Sequence, residues 1–123
     1  MISRPEEIAA AVRERGYALN TDVKEAAEIA SGMNSALAHA IVGDLIQLLE
    51  KTDEYQLADA EAAYTRAVEI DREFAEGYTS LGFFYDAVLD DPERALRFFE
   101  KAIELADSEA LEGLRSVLEQ LRG

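Results

Sequence analysis

The sequence predicts an all-α protein, a helix-turn-helix repeat solenoid of about seven helices closed by a C-terminal capping helix, and three observations carry that expectation. Ala, Leu, Glu and Arg dominate, and the two prolines, Pro5 and Pro92, stand where helices should begin. Apolar residues recur every three or four positions along most of the chain. Finally, Ala60, Tyr64, Ala67 and Ile70 recur as Ala95, Phe99, Ala102 and Leu105, each 35 residues later. A fixed period in this range marks helical units that stack because none buries its apolar face alone.

The first helix is expected from a capping box, Ser3 with Glu6 and Pro5 between them, placing Ile8, Ala9, Ala11 and Val12 on an apolar side until Gly16 ends it. Asn20, Thr21 and Asp22 are N-cap candidates for a second helix with a small-residue face, Val23, Ala26, Ala27 and Ala30, broken at Ser31 and Gly32. The third, about 34–51, is apolar around much of its circumference, with Leu37, Ile41, Leu45 and Leu48 in one row and Ala38, Val42, Ile46 and Leu49 in the next. Such a helix is covered on more than one side. Asp53 with Gln56 reads as the capping box of a fourth helix running to Ile70.

Asp71 is the expected cap of the fifth helix, with Phe74, Tyr78, Leu81, Phe84, Tyr85 and Val88 at helical spacing. Asp90 or Asp91, followed by Pro92, opens the sixth, which carries Ala95, Phe98, Phe99, Ala102, Ile103 and Leu105. Asp107 or Ser108 opens the last. There Leu111, Leu114, Leu118 and Leu121 form one stripe, expected to be buried, while Glu109, Glu112, Arg115, Glu119 and Arg122 face water. Gly113 inside that helix costs roughly 1 kcal/mol relative to alanine, so fraying is expected.

The stretch from Phe74 to Asp107 resembles a tetratricopeptide repeat, a family of helix-turn-helix units of about 34 residues. Tyr78, Leu81, Gly82 and Tyr85 look like its aromatic, Leu-Gly and Tyr positions on the first helix, and Ala95, Phe99 and Ala102 like those of the second. Small residues stand where helices cross closely and large ones fill the space beside them. Two departures are visible. The turn VLDDPER is one residue longer than the family's usual unit, and Asp107 stands where the family often has proline. A length of 123 residues suits a single domain over 1–123, which the resemblance divides into N-terminal helices at 1–33, a degenerate unit at 34–71 whose first helix lacks the Leu-Gly and aromatic pattern, a clear unit at 72–107, and a capping helix at 108–123. Fewer than three good repeats are rarely stable alone. Either the first two helices form a degenerate third pair, which favours a monomer, or the array extends by self-association into a homo-oligomer.

The chain has no cysteine and a formal net charge of −14, distributed as five basic against eight acidic side chains in residues 1–52 and seven against eighteen in residues 53–123. Disulfides, thiolate metal sites and thiol nucleophiles are excluded together. Nucleic acid and anionic membranes, which are bound through basic footprints, are unexpected partners. No apolar stretch reaches the roughly 18 to 20 residues of a membrane span, and the N-terminus lacks a signal-peptide core, so a cytoplasmic protein is expected. No cofactor or metal is expected either. Asp90, Asp91 and Glu93 lack calcium-hand spacing, the lone His39 has no triad pattern around it, and Gly77 and Gly82 read as packing positions within a helix. An enzyme is therefore not expected.

In the family the first helix of each pair lines a concave surface, which implies a groove formed here by Glu76, Thr79, Ser80, Phe83 and Asp86. Two carboxylates, two hydroxyls and one ring suit a basic or amphipathic protein segment, with Phe83 as anchor; the alternative for Phe83 is packing against the neighbouring helix. The Lys, Arg and Asn clamp by which some family members hold acidic chaperone tails is absent from this repeat. The expected function is a protein-interaction module, an adaptor or scaffold. A second reading is a small acidic immunity or antitoxin protein that neutralises a basic partner by charge. A third explanation of the acidity is solubility alone.

Overall fold

A computed structural model describes residues 4–50, 54–105 and 107–123. Among them the chain forms seven α-helices and one π-helical segment, and its only β-type pairing is an isolated bridge. The helices are α1 (Pro5–Arg15), α2 (Asn20–Ser31), α3 (Ala36–Gln47), α4 (Leu57–Ile70), α5 (Ala75–Phe83), α6 (Pro92–Glu104) and α7 (Ala110–Arg122), with the π-turn at Phe84–Val88 between α5 and α6. They group into two compact units, Met1–Ile70 and Asp71–Gly123.

In the first unit, α1 starts with Pro5 at N1 and ends at Gly16, whose φ of 95° lets its N–H return to the Val12 carbonyl at 2.7 Å. Ser3 and Asp53, expected as caps, lie outside the described residues. For α2 the cap differs from expectation. Leu19 occupies the N-cap, and Asp22, at N3, accepts from the Leu19 N–H at 2.9 Å and pairs with Arg15 at 2.8 Å. Asx side chains serve either end of such a box, and a one-turn shift exchanges the roles. Burial pushes the Asp22 carboxyl up, but the Arg15 hydrogen bond, the Leu19 N–H and the Arg15 charge together hold it below the usual carboxylate range. Gln56 is likewise at the start of α4, its N–H donating to Asp59 at 2.8 Å.

The third helix sits against α1, α2 and α4. It buries Ala38, Ile41, Val42, Gly43, Leu45 and Ile46, whereas Leu37 and Leu48, expected in an inner row, are exposed. Leu37 falls in the first turn of the helix. Leu48 has already left the helix, because its carbonyl accepts from Ala18 at 2.8 Å while the Glu50 N–H donates to the Ala18 carbonyl at 3.1 Å. That bridge ties the α1–α2 connection to the end of α3.

Where α3 crosses α4, Gly43 lies on the Tyr64 ring so closely that an added Cβ would meet it at 2.7 Å. Tyr64 is fully buried, with Ala60 and Ala67 a turn away on either side. Its hydroxyl donates to Asp44 at 2.5 Å and accepts from Gln47 at 2.6 Å. Asp44 has one side open to solvent, yet desolvation against Tyr64 pushes its carboxyl up, opposed by the Tyr64 hydrogen bond and the Arg13 charge. A carboxyl with a raised folded-state pKa binds its proton more tightly when folded, so ionising it costs stability as pH rises through that range. Asp44→Asn keeps an acceptor for Tyr64. It is expected to leave the urea midpoint unchanged near pH 3, below the ordinary Asp value of about 3.9, and to raise it at pH 7. A lower midpoint at pH 7 would mean that the charged hydrogen bond outweighs the desolvation.

The second unit repeats this design. Gly82 of α5 lies on Phe99 of α6, where an added Cβ would meet the ring at 2.5 Å, and Ala95 and Ala102 flank Phe99 as Ala60 and Ala67 flank Tyr64. Asp71, expected as an N-cap, instead makes a turn ahead of α5, its side chain accepting from Glu73 at 3.0 Å and its carbonyl from Phe74 at 3.1 Å. Asp107 does the same before α7, accepting from Glu109 at 3.1 Å and Ala110 at 3.3 Å. The extra residue of the α5–α6 turn is absorbed in two places: the π-turn, closed by Leu89 N–H to the Phe84 carbonyl at 3.1 Å, and Asp90, whose φ is 51°. Asp91 is the cap of α6, accepting from Arg94 at 3.2 Å with Pro92 at N1.

The last helix departs most from expectation. It buries Ala110, Gly113 and Val117 against α6 and α5, and three of the four stripe leucines face outward, Leu111 51%, Leu118 37% and Leu121 39% exposed, with Leu114 half-buried. The reason is Phe99. Only a helix face without a bulky side chain can lie on a ring already seated on Gly82, and Gly113 supplies it.

Candidate functional site

The end of α5, the π-turn and α7 enclose a groove of about 350 Å³ lined by Phe83, Asp86, Glu112, Gly113, Arg115, Ser116 and Glu119. Phe83 is 43% exposed, with its ring edge-on to Phe99 at 5.0 Å. One part of the ring thus packs on the core aromatic, as the alternative expectation had it, and the rest faces the groove. Asp86 sits a turn further on, one carboxylate oxygen accepting from Gln120 of α7 at 2.8 Å. That bond links the π-turn to α7.

Of the five residues expected at the site, only Phe83 and Asp86 line this groove. Glu76 is exposed at the start of α5 and Ser80 is half-buried. Thr79 is buried, its hydroxyl within 2.5 Å of the Asp107 carboxylate and 3.3 Å of the Ala75 carbonyl. It serves the fold instead of a ligand, linking α5 to the turn before α7, and this gives Asp107 a task at the position where the tetratricopeptide family often has proline. The physical reason is position along one face. Thr79 and Phe83, four residues apart, share a face of α5, but the turn at Asp107 covers it at Thr79 and the groove opens at Phe83.

The residues that sequence reasoning missed are those of the facing wall. Glu112, Arg115 or Ser116, and Glu119 recur at three- and four-residue spacing, which marks one helix stripe. The stripe was legible, but not the helix it faces. Three carboxylates, Asp86, Glu112 and Glu119, line it with one guanidinium, Arg115, so the groove is acidic. Around a partly exposed ring, that arrangement can seat an apolar side chain while attracting cations.

Among the described residues there is no cluster of three metal-ligating side chains, and His39 is half-buried on α3 outside this groove. No described helix is long and apolar enough to cross a membrane. Compared with known families and with curated proteins, the chain matches no family model and no curated protein, so the groove is interpreted from its own chemistry.

Proposed function

We propose that this protein is a non-enzymatic interaction module of tetratricopeptide type, a cytoplasmic adaptor or scaffold that binds a basic or amphipathic protein segment in the acidic groove between α5 and α7. The observation that carries the reading is Phe83, half-exposed among the carboxylates of Asp86, Glu112 and Glu119. An exposed ring bordered by like charges is costly on a free surface and useful against a segment with an apolar residue next to Lys or Arg. The charge pattern argues against nucleic acid and anionic membranes as partners. The repeated glycine-on-ring crossings support the family likeness.

A fluorescent amphipathic peptide of Lys and Leu, titrated by anisotropy, tests the reading. Phe83→Ala with Asp86→Arg is expected to weaken binding at least about tenfold, the loss of one buried anchor, and rising salt is expected to weaken the native complex. Because Phe83 also touches Phe99, Glu112→Arg with Glu119→Arg serves as a second variant that leaves the ring in place. Unchanged binding by both variants, each with native helicity, would reject the groove.

A further inference from the structure

We infer that the outward leucine stripe of α7 is a self-association surface, on which α7 of a second copy docks antiparallel about a two-fold axis. The register of the second unit says what this face is. The turns at Asp71 and Asp107 are alike and 36 positions apart, and the same shift carries the buried pair Gly77 and Leu81 of α5 onto the buried pair Gly113 and Val117 of α7. The helix α7 thus stands where the first helix of another hairpin would. By that shift Leu118 and Leu121 occupy the places of Gly82 and Tyr85, and those two are covered by the following helix, Gly82 by Phe99 and Tyr85 by Phe98 at 5.2 Å. Among the described residues no helix covers the corresponding face of α7. The leucine stripe was expected to be buried, and Leu118 and Leu121 are exposed.

Three features select a second copy as the occupant. Leu111, Leu114, Leu118 and Leu121 are spaced three, four and three apart, the a/d pattern of a helix-pairing seam. That spacing reads the same in both directions, as a two-fold contact between identical helices requires. Beside it runs a row, Glu112, Arg115, Glu119 and Arg122, whose signs alternate and invert when read backwards. The row is centred on Val117 and the leucines on Ser116, so in antiparallel pairing Glu112 comes near Arg122 of the other copy and Arg115 near Glu119, each about 3 Å along the axis from directly opposite. Charge also decides where the copies can meet. Helix α7 holds two acidic and two basic side chains, so the whole net charge of −14 lies outside it. Elsewhere two copies repel, and along α7 they do not.

A pair of 13-residue helices, each about 20 Å long, lies at the small end of specific interfaces, so a dimer in the micromolar range is expected. Sedimentation equilibrium of the full chain from about 5 to 500 μM spans that range. The native chain is expected to pass from monomer to dimer, and Leu118→Glu, at a position already exposed in the monomer, to remain monomeric with unchanged helicity. Arg115→Glu and Glu119→Arg should each weaken the dimer about tenfold, since each creates two like-charge contacts. Mixing those two single variants should regenerate a 1:1 dimer of native strength, because each supplies the sign the other lacks. A native chain monomeric at the highest concentration overturns the inference. So does a dimer indifferent to Leu118→Glu, a larger assembly, or a mixture no stronger than its components.

Discussion

Phe99→Ala is expected to lower stability by about 3–5 kcal/mol, the usual cost of removing a buried aromatic ring. The ring is fully buried and touched from three directions: Gly82 of α5 on one side, Gly113 of α7 on another, and Phe83 edge-on at 5.0 Å. Two of those neighbours are glycines, which have no side chain to move into the void, so the site collapses poorly. The loss falls on a unit of only 53 residues, and small units have little stability to spare. Urea unfolding followed by circular dichroism gives the size of the effect, and hydrogen exchange gives its place, with amides of α5, α6 and α7 expected to lose protection first. A cost below about 1 kcal/mol would mean that Phe99 is not the centre of this unit.

Gly113→Ala is expected to destabilise by about 1–2 kcal/mol, although helix propensity alone favours alanine by roughly 1 kcal/mol. The sign is set by Phe99. An added Cβ enters the space of the ring, and the ring cannot retreat because Gly82 is already against it. Gly43→Ala is expected to behave alike against Tyr64, which is held in addition by Asp44 and Gln47. Gly32→Ala is the control. There an added Cβ finds only the Ile29 carbonyl at ordinary contact distance, and the substitution should be neutral or mildly stabilising. Thermal unfolding of the three variants tests the contrast, and Gly113→Ala combined with Phe99→Leu should recover part of the loss by returning volume to the crossing. A stabilised Gly113→Ala would show that α7 does not rest on Phe99.

The glycine in α7 thus has the opposite meaning from the one its sequence suggests. In isolation it is a weak point in a terminal helix; in the fold it is the contact that positions the helix. Gly43 has a similar history. The first helix of the earlier hairpin lacks the aromatic residues of the later one, which made it look degenerate, yet Val42-Gly43 stands on Tyr64 much as Leu81-Gly82 stands on Phe99. The signal was present in the sequence, obscured by a connection between α3 and α4 longer than that between α5 and α6.

The groove shows the same division. Phe83 and Asp86 follow from the family likeness, which turns the first helix of a pair toward a groove and leaves there the residues not used in packing. Their facing wall does not, since it depends on which face α7 turns inward. Thr79 was misjudged for a related reason: a hydroxyl near an exposed stripe looks available until a carboxylate 28 positions later in the chain comes within hydrogen-bonding distance.

By itself the sequence determined that this protein is helical, where most helices begin and end, and which small and large residues recur at the crossings. These follow from propensities, caps and a 35-residue period, all of which act over a few turns or repeat along the chain. Only the tertiary structure decided the rotation of α7, and with it the acidic groove on one side and the exposed leucines on the other. A single buried ring, Phe99, made that choice. It accepts glycine and excludes leucine, and so a packing constraint overruled the hydrophobic stripe that the helix carries.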